Sequence, residues 1–499
     1  MSLGEHLLVT LIIDTLRQGA ARTPSLRDVQ AADAVLVLGE DVTNTAPLLA
    51  LAIRQAARNR QFEIASSMRL PLWDDGAVRN AAQDARSPVF LATPYATGLD
   101  DIAARTYRAG SDDIARLGFA VAHALDPSAP AVIDLPADDR ELAGTVASAL
   151  RNARRPLIVS GTGCLSRAMV QAAANVAWAL CRLGKPAHLG FAVPECNTMG
   201  LGLMDGRTLD EAFTLVRDRL ADTVIILEND LTRRADEQNV ADVLGRAKNV
   251  IVIDHLQNGT SVRAALAIPS ATFAESSGTI VNSEGRAQRY YQVFVPQGDI
   301  QAGWQWIGDI MQVIGKTDNG GPRTFDDLIG ALAAALPVFD PVRTLAPPAA
   351  YRIEGMKVPR QPHRYSGRTA LAAHLTVHEP EPPADPTSPL SFSMEGYEGL
   401  PPAPLTARYW HPQWNSVQAL NKCQQEIGGP LRGGDPGTRL ISPKPEGECA
   451  YYADIPGPLR ERDGPSAEAP RSFIFGSEEL SCLAPAIEEM VRRRGPATG

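Results

Sequence analysis

Three short loops carry the residue types from which an α/β protein builds an anion or nucleotide site. Gly39-Glu-Asp-Val-Thr-Asn-Thr-Ala-Pro47 follows an apolar run. Gly39 permits a tight turn there, and Thr45 is the expected cap of the next helix, with Pro47 in its first turn. A phosphate could rest at such a helix start. Glu40 and Asp41 oppose it, because two carboxylates beside an anion cost several kcal/mol at an effective dielectric of about 20. Capping is therefore the favoured reading. Ser160-Gly-Thr-Gly-Cys-Leu-Ser166 is a glycine-bearing strand-to-helix turn, half of a dinucleotide loop. It lacks the third glycine of GxGxxG and the lysine of a P-loop. Leu227-Glu-Asn-Asp-Leu-Thr-Arg-Arg234 has no glycine to let backbone approach a phosphate, so its side chains close it to nucleotides.

Nucleophile and metal chemistry find less support. Cys164 stands at a helix N-terminus, where a thiol pKa can fall, but no histidine neighbours it and a small packing role is favoured. The six cysteines, Cys164, Cys181, Cys196, Cys423, Cys449 and Cys482, are never closer than fifteen residues, and no CxxC occurs. Tetrahedral zinc and iron–sulfur sites usually draw two ligands from one loop, so such a centre is not expected. Scattered reduced cysteines fit a cytoplasmic protein. His374 and His378 precede prolines and read as surface polar residues rather than ligands. No G-x-S-x-G, HExxH or kinase-like set is present.

The elements that would position these loops alternate between short β-branched runs and helical periodicity, the pattern of a doubly wound parallel sheet. The expected strands are 34–38, 89–92, 131–133, 156–159, 223–227 and 250–253. Helices are expected over 46–58, 112–125, 140–153, 167–183, 209–220 and 325–336. Residues 1–155 read as a first α/β lobe and 156–320 as a second. Residues 321–499 read as a helix followed by a loop-rich extension. Glu379–Pro389 holds five prolines, and Tyr365, Phe392, Tyr397, Tyr409, Trp410, Trp414, Tyr451 and Tyr452 sit among polar residues. Such a segment either straps this chain's own core or packs on a partner, and the two readings weigh equally.

Length, 499 residues, allows several cores, and 44% apolar with 21% charged residues is ordinary for a globular protein. The net charge of −9, without a basic tail, argues against nucleic acid. No apolar run approaches the roughly 20 residues of a membrane span. The apolar stretch Leu7–Ile13 lacks the flanks of a signal peptide.

Taken in order, the loops resemble a known family. Thr272-Phe-Ala-Glu-Ser-Ser-Gly-Thr-Ile-Val-Asn-Ser-Glu-Gly-Arg-Ala-Gln288 is similar to the segment that closes over the pterin in molybdopterin oxidoreductases, with Glu275, Gly278, Asn282, Glu284, Arg286 and Gln288 at family positions. Gly39–Pro47, Ser160–Gly163, Glu195–Met204 and Leu227–Asp230 fall in the family's order around it. The resemblance implies paired doubly wound, mostly parallel sheets. It also marks Gly39, Asp41, Gly161, Gly163, Asn197, Asn229, Asn282 and Arg286 as vestigial pterin-pocket positions.

A closer resemblance is to the G-subunit family of bacterial respiratory complex I, the NADH:quinone oxidoreductase, whose long C-terminal part is such a body without the cofactor. Ala34–Thr45, Leu99-Asp-Asp-Ile-Ala103, Arg116-Leu-Gly-Phe-Ala120, Arg364-Tyr-Ser-Gly-Arg368, Phe392-Ser-Met-Glu-Gly-Tyr397 and Gly428–Gly437 carry it, from about residue 20 to about 480. Asp41, Leu227 and Asp230 replace the asparagine, glycine and proline usual in active enzymes, and each change discourages a polyanion. The resemblance implies a scaffold of the peripheral arm, without catalytic residues or metal of its own. Its partners would be other arm subunits, especially the NADH-oxidising module, on the cytoplasmic face of the inner membrane. The cysteine motifs for the 2Fe-2S and 4Fe-4S clusters and the closing β-barrel of that family are not found here, so a fragment or split reading frame is expected. The alternatives are an active molybdopterin-dependent oxidoreductase and an unrelated nucleotide-binding α/β protein.

Overall fold

The computed structural model describes residues 3–204, 206–292, 295–315, 321–345, 348–349, 437–444 and 450–458. The linker 379–389, the motifs 364–368 and 392–397, His374, His378, Cys423, Cys449, Cys482 and the aromatics from Tyr365 to Trp414 lie outside them.

The apolar runs become parallel strands. β1 (Ala34–Leu38), β2 (Val89–Ala92), β3 (Arg105–Tyr107), β4 (Pro156–Gly161) and β5 (His188–Ala192) form one sheet in the order β3-β2-β1-β4-β5. All its pairings are parallel. Every residue of β1, β2 and β4 is buried, as parallel strands covered on both faces require. Val35, Val37, Leu91, Leu157 and Val159 pack on one face against Ile53 and Ala56 of helix Pro47–Ala56. Helices Ser111–Leu125 and Arg167–Arg182 lie together near the other face, where Gly118 lets Ala172 and Leu38 come close.

A second parallel sheet follows, β6 (Thr223–Leu227), β7 (Asn249–Asp254) and β8 (Leu266–Pro269), in the order β6-β7-β8. Ile226, Val250 and Val252 pack on Phe213, Val216, Val240, Val243 and Leu244 of helices Leu209–Arg217 and Glu237–Arg246. β9 (Gly278–Val281), β10 (Arg286–Tyr290) and β11 (Thr438–Arg439) make a third sheet in the order β11-β10-β9. The described residues divide into two compact units. One comprises those of Met1–Ser270, Ile280–Ala287 and Arg439 onward, and the other those of Ala271–Thr279 and Gln288–Thr438. In the second, helix Phe325–Ala335 is capped by Thr324 and Asp327, and Arg289 pairs with Asp326 at 2.6 Å.

Two expectations change. The first sheet runs across residue 155, because β4 pairs with β1 from Ala34↔Pro156 to Val37↔Val159, so the second sheet begins only at β6. Residues 131–133 are no strand: Ile133 is 77% exposed and its carbonyl accepts from Arg116 Nη2 at 2.6 Å. The place beside β2 belongs instead to the polar edge strand β3. The apolar stretch Leu7–Ile13 lies inside helix Leu3–Gln18, with Leu8, Val9, Ile12 and Ile13 buried.

The described aromatics of the extension strap the chain's own core. Tyr452 stacks on Trp178 with centroids 5.2 Å apart, and its hydroxyl shares a 3.0 Å hydrogen bond with Thr15. Fully buried Asn175 accepts from Tyr452 N at 3.0 Å and donates to Tyr452 O at 2.9 Å. Arg116 Nη1 donates to Pro456 O at 2.9 Å. Tyr451 lies under the Arg182 guanidinium and donates to Asp126 Oδ2 at 2.7 Å.

That last bond carries a pH signature. The Tyr451 hydroxyl, followed by the Ser128 amide, holds the Asp126 carboxyl down at about 2, against an ordinary 3.8. A lowered carboxyl contributes stability above its unfolded value and loses it as pH falls through the folded one. Tyr451→Phe, which keeps the ring under Arg182, is expected to flatten the loss of melting temperature between about pH 4 and pH 2. Unchanged acid limbs in parallel thermal melts of the two proteins would count against this bond.

Candidate functional site

The loops after β1 and β4 meet. Gly39 takes a φ of +71°, donates to Ala92 O at 2.7 Å and accepts from the Cys164 thiol at 2.9 Å. The turn aims Glu40 into the Ser160–Gly163 loop, where Gly163 N–H donates to Glu40 Oε2 at 2.9 Å. A Cβ on Gly163 would lie 2.9 Å from Glu40 Oε1, and one on Gly161 would collide with Oε2. The glycines thus admit a carboxylate of this chain. Glu40 is only 2% exposed, and burial, with Asp41 beside it, pushes its carboxyl above the ordinary range despite the bond from Gly163.

Asp41, not Thr45, is the cap on this loop. Its carboxylate accepts from Thr43 N at 3.2 Å and Asn44 Nδ2 at 2.6 Å, opening the short helix Val42–Thr45. The Thr45 hydroxyl donates instead to Asp41 O at 3.1 Å. Pro47 does occupy the first turn of its helix, which carries no side-chain cap. Burial, reinforced by Glu40, pushes the Cys164 thiol up to about 12, so it is protonated at neutral pH and no nucleophile.

In the Leu227–Arg234 loop the polar side chains bond within the loop and to its neighbours. Asp230 accepts from Thr232 N at 3.2 Å and from the hydroxyls of Thr232 and Thr260, each at 2.8 Å. Burial raises the Asp230 carboxyl, but these bonds outweigh it and leave it lowered. Asn229 Oδ1 accepts from Arg234 Nε at 3.3 Å, and Arg234 pairs with Glu195. Thr260, fully buried and also bonded to Leu231 N at 2.7 Å, is not legible in the sequence, because a lone threonine thirty residues from its partner has no local signature.

The remaining positions spend their groups on backbone. Asn197 Oδ1 accepts from Val281 N at 2.9 Å rather than capping its own helix. Asn282 Oδ1 accepts from Glu284 N at 3.0 Å and Arg286 N at 3.1 Å, shaping the β9–β10 turn. Glu284 is braced by Arg286 at 3.0 Å and by Arg439, which also donates to Thr23 Oγ1 at 2.6 Å. Arg439 is a member of this cluster that sequence reading missed. In the other unit Glu275 accepts from Thr272 N at 3.1 Å, and Gly278 lies against Tyr290. Gly39, Asp41, Gly161 and Gly163 therefore converge around Glu40, Asn197 joins the β9–β10 turn of Asn282 and Arg286, and Asn229 belongs to a separate network.

The family described as Molybdopterin oxidoreductase matches residues 135–313. Over this stretch the chain is similar to molybdopterin oxidoreductases. The G subunit of the NADH-quinone oxidoreductase of Pseudomonas fluorescens is 42% identical over 494 residues, 98% of this chain and 54% of that protein. That of Pseudomonas putida is 43% identical over 98% of this chain and 55% of its own length. That of Escherichia coli K12 is 42% identical over 97% and 54%. The chain spans about half the length of these curated relatives.

In the stretch that matches this family, and in the Glu40 loop that meets it, the residues do not fit a pterin cofactor. The Gly163 amide is taken by Glu40, Leu227 ends β6 and Asp230 is bonded within the loop that follows, and Asn197 and Asn282 serve backbone. Among the described residues no group of three or more His, Cys, Asp or Glu could hold a metal ion, and Asp41, Glu228 and Asp230 form no such group. Nor is any described helix long and apolar enough to cross a membrane.

Proposed function

We propose that this chain is the cofactor-free body of a G-type subunit of NADH-quinone oxidoreductase, a scaffold of the peripheral arm that is catalytically inert alone. The identity of 42–43% over 97–98% of the chain with subunits of that name carries the reading. The occupied glycine loop supports it, since a body that no longer binds a polyanion is free to replace the groups that bound one. Its partners are other arm subunits, the NADH-oxidising module first among them. It lies peripherally on the cytoplasmic face of the membrane through those contacts. The 2Fe-2S and 4Fe-4S clusters of such a subunit are ligated by residues other than these, because cysteines at least fifteen residues apart supply no cluster loop.

An affinity-tagged copy of the chain, expressed in its own host, is expected to co-purify with NADH-oxidising and quinone-reducing activities and to contain no stoichiometric molybdenum or tungsten. Recovery without any complex I subunit would overturn the assignment. Stoichiometric molybdenum with pterin fluorescence would instead favour an active molybdopterin oxidoreductase.

A further inference from the structure

The loop between β4 and helix Arg167–Arg182 combines two facts that neither charge nor glycine content explains alone. Gly161 and Gly163 both lack the Cβ that would strike the Glu40 carboxylate, and the Gly163 amide is spent on it. A surface carboxylate gains little from one backbone amide, whereas this one is 2% exposed and enters a glycine-bearing strand-to-helix turn, the kind of segment in which α/β proteins receive phosphate oxygens. Two oxygens on a planar carbon present a phosphate-like edge to such a loop. The residues around the carboxylate hold it there. Gly39 turns the chain with φ +71°, and Asp41 is engaged by Thr43 and Asn44 rather than competing for Gly163.

We propose that the Glu40 carboxylate is a built-in occupant of an anion cradle, taking the place of a phosphate between Gly161 and Gly163 and so closing this chain to phosphate-bearing ligands. The inference rests on the reading of the chain as a cofactor-free body and names the side chain that makes it so. It has a direct corollary. Shortening residue 40 vacates a cradle whose glycines and amide are already in place, whereas changing its charge alone leaves the space filled.

The test is titration of inorganic pyrophosphate into the purified full chain, read by calorimetry and by melting temperature. The parent and Glu40→Gln, which keeps the shape and an acceptor for Gly163, are expected to show no saturable binding. Glu40→Ala combined with Asp41→Asn, which keeps the cap while removing the second charge, is expected to bind at least tenfold more tightly than the parent. Glu40→Ser with Asp41→Asn carries the same expectation should the alanine variant fail to fold. In a second arm, Gly163→Ala lowers the melting temperature of the parent but costs much less beside Glu40→Ala, because the three atoms nearest the new Cβ all belong to Glu40. Pyrophosphate binding by the parent equal to that of the variants would overturn the proposal, as would folded variants with no gain. Equal cost of Gly163→Ala in both backgrounds would do the same. None of these outcomes depends on whether the chain co-purifies with complex I, so the two proposals fail separately.

Discussion

Asn175→Leu is expected to lower stability by about 3 kcal/mol. The variant leaves the N–H and C=O of Tyr452 without the amide that binds both, and a buried backbone group without a partner costs about 1–3 kcal/mol. Tyr452→Ala should cost a similar amount, about 3 kcal/mol, through loss of the ring on Trp178 and of the hydrogen bond to Thr15. At about 2–4 °C per kcal/mol for a large domain, each should lower the first transition by about 6–12 °C. Because both break the same attachment, the double variant should fall well short of the sum. A shift below about 1 °C for either would show that the strap contributes little to the core it crosses.

Gly118→Leu should be as damaging for a different reason. A Cβ at Gly118 would stand 2.9 Å from the Ala172 Cβ and 3.0 Å from Leu38 Cδ1, so the residue sets how closely two helices and the end of β1 approach. Overpacking a filled core costs about 1–3 kcal/mol, and a leucine here has no free direction. The expected outcome is a loss of about 3 kcal/mol, or insoluble protein. Gly144, on the exposed side of helix Ala137–Asn152, has nothing within 4 Å of its missing Cβ. Gly144→Ala should therefore raise stability by about 0.5–1 kcal/mol through helix propensity alone. Opposite shifts from two helical glycines in parallel melts would separate packing from propensity, and equal shifts would refute the account.

The sequence was legible where apolar residues run without interruption. β1, β2, β4, β6 and β7 are apolar runs, and all appear as parallel strands. It misled at 131–133, where an equally apolar run is a surface connection because Arg116 binds its carbonyl and β3 completes that edge. β3 itself, Arg-Thr-Tyr, has no apolar signal, and His188–Ala192 is too mixed to announce a strand. The loops showed the same division. Charge placed Glu40 and Asp41 against an anion, but not the carboxylate inside the glycine turn, a contact across 123 residues. The cap was misassigned to Thr45 because local spacing does not reveal that its hydroxyl turns back to Asp41. Asn175, inside an alanine-rich helix, gives no local sign of a partner that arrives from residue 452.

The strap also sets an order of events during synthesis. Thr15 and Tyr452 are 437 residues apart, and at roughly 5–20 residues per second the ribosome takes about twenty to ninety seconds to supply the second after the first. Until then helices Leu3–Gln18 and Arg167–Arg182 carry an uncovered surface around Trp178. Asn175, Gln171 and Arg116, which later bind Tyr452, Asp454 and Pro456, stand on or beside that surface and keep it wetted while it waits. The polar groups that fasten the finished protein thus also interrupt the apolar surface that waits for the strap.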